Sequence, residues 1–236
     1  MRLDRFLSDT GTATRTESAK AVRAGLVTVN GTRPKTASLR IDPERDVVVY
    51  QGKTVVYRQF TYLMLNKPDG YLSATEDSRD PTVLDLLPTE LRRLNLFPCG
   101  RLDKNTLGFL LLTNDGDLAH KLLSPRYHVE KTYRYRCERP LSEADAAALE
   151  AGVDIGDCVT KPAKVQREAD TVGTITVTEG KFHQIKRMFE AVENKIIGLE
   201  RISFGGLVLD PTLARGEFRP LTEAEEAHLR RAAGER

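Results

Sequence analysis

Cysteine is scarce in this chain. Cys99, Cys137 and Cys158 are odd in number and far apart, with no C-x-x-C spacing, which argues against a disulfide framework or a zinc site. Cys99 reads as small buried filler. His183 has no second His, Cys or carboxylate at a ligand spacing, so it reads as a hydrogen-bonding residue, and no metal is expected. Neither G-x-x-x-x-G-K-[ST] nor G-x-G-x-x-G occurs, so no nucleotide cofactor, and no cofactor of any kind, is expected. No apolar run approaches the roughly 20 residues that a membrane helix needs. The opening Met1-Arg2-Leu3-Asp4-Arg5 lacks the apolar core of a signal peptide. Both absences point to the cytoplasm and away from membrane. Internal repeats and low-complexity segments are absent.

What remains is a soluble globular balance of 40% hydrophobic and 30% charged residues over 236 positions, enough for one large or two modest domains. Net charge is only +2, but it is unevenly spread. Residues 1–60 hold 11 Lys/Arg against 6 Asp/Glu, a net of +5, and residues 61–236 hold 25 against 28, a net of −3. A small basic front end suggests a module that grips a polyanion.

In that front end Leu3, Phe6 and Leu7 fall at helical spacing before Gly11. A second helix, capped by Thr14 or Thr16, exposes Arg15, Lys20 and Arg23 and turns Ala19, Val22 and Leu26 inward. V-T-V-N-G at 27–31 reads as a strand entering an Asn-Gly hairpin, and residues 47–57 supply another β-pair around Gln51-Gly52. A linker is expected near 57–61, dividing a domain of 1–58 from one of 61–236.

The second part is organised around residues 97–116, F-P-C-G-R-L-D-K-N-T-L-G-F-L-L-L-T-N-D-G. Four apolar residues closed by Asn114-Asp115-Gly116 read as a buried strand ending in a turn. Asp103 then sits on a tight loop feeding a core strand, where a carboxylate can be fixed beside a cleft. Upstream, L-N-K-P-D-G at 65–70 is a strand broken at Pro68 and turned at Asp69-Gly70. Downstream, E-K-T-Y-R-Y-R at 130–136 alternates, placing Tyr133 and Tyr135 on one face. Helices are expected at 83–87, at 117–123, at 142–151 with Ser142 and Asp145 as a near capping box, and from Thr222. Residues 159–166 and 174–178 read as strands. E-G-K-F-H-Q-I-K-R-M-F at 179–189 turns into a helix with Ile185, Met188 and Phe189 at core spacing.

Taken together, G-R-L-D-x-x-T-x-G, L-N-K-P-x-G, E-K-T-Y and E-G-x-x-H-Q-I-K-R-M resemble the motifs of the small-subunit rRNA pseudouridine synthase (RsuA) family. The front module resembles the alpha-L RNA-binding domain also found in a small-subunit ribosomal protein. The resemblance spans nearly the whole chain; Phe109 replaces a usual Leu, and Glu193 stands at a turn position where Gly is common. It implies an α+β fold in which the front domain precedes a catalytic domain built on a mixed, mainly antiparallel sheet with flanking helices. It also implies an isomerase acting on ribosomal RNA without a cofactor, and a monomer is expected.

By the same resemblance, Asp103 is the catalytic carboxylate, Tyr133 stacks on the target uracil, and Lys186 pairs with Asp103, with Arg187 as the alternative one position on. Arg101, Arg187, Lys67, Arg15, Lys20 and Arg23 are the expected RNA contacts. An ionised Asp suits the chemistry, as nucleophile at the sugar or as a base on it. Two other readings fit the family: the same chemistry on large-subunit rRNA, and a non-catalytic rRNA-binding assembly factor. The intact Asp103, Tyr133 and Lys186 set counts against the second, because nothing in binding alone requires all three.

Overall fold

The computed structural model describes residues 1–235. It divides into two compact units, Met1–Thr61 with Leu87–Leu96, and Tyr62–Leu86 with Phe97–Arg236. Residues 87–96, which chain order assigns to the second domain, cluster with the first unit: Arg93 pairs with Glu17 at 3.1 Å.

In the first unit, α1 (Leu3–Asp9) and α2 (Arg15–Arg23) pack beside a small antiparallel sheet of β1 (Val27–Val29), β2 (Val48–Tyr50) and β3 (Lys53–Val55). Thr14 caps α2 in a full capping box with Glu17. Leu3, Phe6, Leu7, Val22, Val27 and Val48 form the core. Ala21 takes the buried place expected of Leu26, which is exposed. The Asn30-Gly31 turn closes only a single bridge, Val29 to Thr32. Asn30 instead ties its side chain to Asp46 and to the Val47 amide, so β1 pairs with the more distant β2. Gln51-Gly52 makes the true hairpin turn between β2 and β3, with φ of 49° and 80°.

The second unit is one mixed sheet. Its strands are β4 (Tyr62–Lys67), β5 (Phe97–Pro98), β6 (Leu107–Thr113), β7 (Lys131–Cys137), β8 (Lys164–Ala169), β9 (Val172–Val177), β10 (Ile196–Phe204), β11 (Leu207–Val208) and β12 (Phe218–Pro220). The main path runs β12-β4-β6-β10-β7-β9-β8, antiparallel except between β6 and β10. The remaining helices are α3 (Thr89–Arg92), in the first unit, and α4 (Gly116–Leu123), α5 (Glu143–Ala151), α6 (Gln184–Ala191) and α7 (Glu223–Ala232). The segment expected as a helix at 83–87 is a 3-10 turn, Val83–Leu86, and α4 begins one turn residue early because Asp115 caps it at Leu118 N. Residues 159–163 stay outside the sheet, which β8 joins only at Lys164.

The continuous apolar run of β6 follows from its place. It lies between β4 and β10, and Phe109 to Leu112 are wholly buried. Tyr135, Leu149, Ile175, Met188 and Phe189 form the core under α5 and α6. Gly108 has φ of +96°, and a Cβ there would lie 2.3 Å from the Arg201 carbonyl of β10. Gly108→Ala is therefore expected to destabilise the protein by about 2–4 kcal/mol, read as a lower urea midpoint. At Glu193 the backbone is left-handed, with φ of 55°, in keeping with the glycine-like turn anticipated there.

Candidate active site

The loop between β5 and β6 is pinned at Leu102, Asp103, Lys104 and Thr106. Ser73 Oγ donates to the Leu102 carbonyl at 2.9 Å and accepts from the Leu102 amide at 3.0 Å. The Gly70 amide donates to the Lys104 carbonyl at 3.1 Å, and the Thr106 amide closes a turn on the Asp103 carbonyl at 3.0 Å. Beneath them, Lys67 Nζ donates to the carbonyls of Pro68, Lys104 and Thr106, each at 3.0 Å. The β4–β6 register, which sets Lys67 opposite Gly108, brings the ammonium there. Ser73, Gly70 and Lys67 thus hold the backbone on both sides of Asp103, whose carboxylate takes no part in fixing it.

Lys67 was expected at the RNA surface. It is wholly buried, with one donor on the Pro68 carbonyl and two on the loop carbonyls of Lys104 and Thr106, so it fixes the backbone around Asp103 instead. Burial pulls its ammonium down to about 8, against a smaller upward pull from Asp69 and Asp103. Between pH 8 and 10 the folded lysine has released a proton that the unfolded one still holds, so its contribution to stability rises with pH. The stability of the wild type relative to Lys67→Met is expected to grow by roughly 1–2 kcal/mol over that range, as measured by urea unfolding at both ends.

Opposite the loop stands the N-terminal end of α6. Lys186 Nζ lies 2.6 Å from Asp103 Oδ2 and 2.8 Å from Asn105 Oδ1. Both members of the ion pair are partly shielded, at 21% and 26% side-chain exposure. Thr106 Oγ1 lies 3.5 Å from the same carboxylate oxygen, and His183 Nε2 lies 3.5 Å from the other. Arg187 points elsewhere: it meets Asp157 at 2.5 Å and donates to the carbonyls of Ile155 and Phe182. Of the two adjacent cations, Lys186 is the one at Asp103. Helical geometry separates consecutive side chains by about 100°, so they cannot share a partner on one side.

The E-G-x-x-H-Q stretch has a physical reading here. Buried Glu179 accepts from the Lys161 amide and from Gln184 Nε2, both at 2.9 Å. Gln184 Oε1 accepts from the Lys181 amide at 2.9 Å. This clasp holds His183 in a left-handed conformation, φ 49°, with its ring turned to Asp103.

Tyr133 lies on β7, half-buried, and its hydroxyl makes no hydrogen bond among the described residues. The Arg201 guanidinium sits 6.0 Å from its ring centroid and donates to the Phe109 carbonyl at 2.7 Å. Arg201 is 1% exposed, and nothing in its surroundings in sequence marked it. Tyr135, two residues on, is core, tilted against Phe189 at 4.9 Å. Arg101 is exposed with no hydrogen bond or ion pair among the described residues. The side chains of Arg15 and Lys20 on α2 are likewise exposed with no hydrogen bond or ion pair among the described residues, whereas exposed Arg23 donates to the Ala19 carbonyl of its own helix. Cys99 is buried, its thiol pushed up to about 12 by desolvation. Among the described residues no group of three or more His, Cys, Asp or Glu could hold a metal, and no helix is long and apolar enough to cross a membrane.

Residues 61–191, which carry the pinned Asp103 loop, Tyr133 and the Lys186 helix, match the RNA pseudouridylate synthase family. The chain belongs to that family. Residues 1–48 match the S4 domain, so the two modules of an RNA-binding enzyme lie on one chain. The chain is 50% identical to the uncharacterized RNA pseudouridine synthase YtzG of Bacillus subtilis (strain 168), covering 97% of this chain and 98% of that one. It is 40% identical to ribosomal small subunit pseudouridine synthase A of Escherichia coli (strain K12), over 97% and 100%. Among solved structures, a crystal structure of a pseudouridylate synthase superposes with TM-score 0.69 at 38% identity, over 97% of this chain and 99% of that one.

Proposed function

We propose that this synthase isomerises one uridine of small-subunit (16S) ribosomal RNA, acting as a cytoplasmic monomer. The observation that carries the reading is the 2.6 Å contact between Lys186 and Asp103, made on a loop whose backbone is held by Ser73, Gly70 and Lys67. The relatives named for the small ribosomal subunit, matching end to end, support the substrate.

Isomerisation breaks N1–C1′, turns the uracil, joins C5 to C1′ and returns the C5 proton to solvent as N1 takes one up. No redox partner is needed, and the atoms balance. The uridine must leave its stack for C1′ to reach a protein group. Asp103 then meets the sugar, attacking C1′ or drawing a proton from it, while Lys186 holds the carboxylate's far oxygen in place. Tyr133 offers the uracil a π-face. Its unpartnered hydroxyl is free to meet the base. Arg15, Lys20 and Arg23 on the S4 helix, with Arg101 beside the loop, carry exposed positive charge suited to phosphates, which position RNA without reading its sequence.

Tritium release from C5-labelled small-subunit rRNA tests the reaction directly. Purified protein that liberates tritium from this RNA and not from large-subunit rRNA supports the reading. Release only from the large-subunit RNA keeps the chemistry and replaces the substrate. Binding with no release from either moves the protein to the non-catalytic class.

A further inference from the structure

Phe182 is anomalous for an apolar residue. It is 75% exposed, though the chain has little aromatic content and no tryptophan. A phenyl ring left three-quarters in water forgoes most of its hydrophobic stabilisation. Nor does this ring hang on a loose loop. The Glu179–Gln184 clasp closes its turn, and the Phe182 carbonyl accepts from Arg187 Nη1 at 3.3 Å.

One face of the ring is occupied. Phe182 stacks on His183 with centroids 3.8 Å apart and planes 18° from parallel. His183 turns its Nε2 edge to Asp103 at 3.5 Å. The arrangement is a two-ring stack beside the carboxylate, with spacing close to the roughly 3.4 Å rise per nucleotide of stacked DNA. Its outer face is open, and Lys181, next in the chain, is exposed.

When a uridine is extruded, the flanking base loses a stacking neighbour. An exposed aromatic face offers a replacement that any base accepts. We propose that the free face of Phe182 stacks on a base flanking the target uridine and so sets the RNA over Asp103. His183 is the ring of the stack that faces Asp103, so the role assigned to Phe182 is in positioning the substrate. The proposal rests on the uridine reading of the Asp103 site.

The missing tryptophan supplies the probe. Phe182→Trp, in the full-length protein, carries the sole indole of the chain. Its fluorescence is expected to fall on titration with unmodified small-subunit rRNA transcript and to saturate with binding. Phe182→Leu keeps apolar bulk and removes the π-face. It is expected to raise KM by about 5- to 100-fold, with the loss falling in KM rather than in kcat at saturating RNA, and with the thermal midpoint unmoved. An indole that stays unquenched at saturating RNA, while wild type releases tritium, overturns the stacking platform alone. An unchanged KM in Phe182→Leu does the same. A wild-type protein that releases no tritium overturns the uridine reading and this proposal with it.

Discussion

Asp103→Asn is expected to abolish tritium release from C5-labelled rRNA, lowering turnover by at least about 10³-fold, while RNA binding and thermal stability stay near wild type. General-base assistance is worth about 10²–10⁴-fold, and a covalent nucleophile cannot be replaced by an amide at all, so both roles open to the carboxylate lead to the same loss. The exchange is nearly isosteric. Asp103 donates nothing to the core, and the loop is held by Ser73, Gly70 and Lys67 through backbone atoms that the substitution leaves alone. Loss of activity with an unmoved urea midpoint would therefore report chemistry rather than folding. In cells lacking the gene, carbodiimide mapping with primer extension should find one small-subunit pseudouridine missing, restored by wild type and not by Asp103→Asn. Rescue by the asparagine variant would remove Asp103 from the reaction.

Much of this site could be read from the sequence because its signals are local. The apolar run of 109–112 announced a core strand, and Asp103 precedes it by a few residues, so the loop's position followed. The Ser142–Asp145 and Thr222 caps formed as their residue types dictate, both as complete capping boxes. What local reasoning missed depends on register. Lys67 looked like any basic residue next to a turn. Only its pairing opposite Gly108 shows that it points under the Asp103 loop. Ser73 and Arg201 are likewise single polar residues whose partners lie 29 and 92 positions away. The Asn30-Gly31 signal was strong yet misled for a related reason: the Asn30 side chain prefers distant Asp46 and Val47, and that choice decides which strand β1 meets. Residues 87–96 joined the first unit through contacts such as Arg93–Glu17 that no periodicity announces.

Lys186→Met should lower kcat on the order of 10²-fold with little change in affinity for RNA. The substitution keeps an unbranched apolar stem in a half-buried place and removes only the ammonium. Asp103 would then retain two contacts at 3.5 Å, from Thr106 and His183, in place of one at 2.6 Å. Asn105 would lose its cationic partner as well. A carboxylate free to rotate by even an ångström from its attacking geometry loses about this factor. Lys186→Arg restores the charge but not the compact point contact, so partial recovery is expected from it. The informative control is Arg187→Met. That arginine fastens α6 to residues 155–157 and 182, so its loss should lower the thermal midpoint and spare kcat at temperatures where the fold persists. The two neighbours thus divide the work of the K-R pair, one serving the carboxylate and the other the helix that presents it. If Arg187→Met proved the more damaging to kcat at low temperature, the ion pair seen at Asp103 would not be the one used in catalysis.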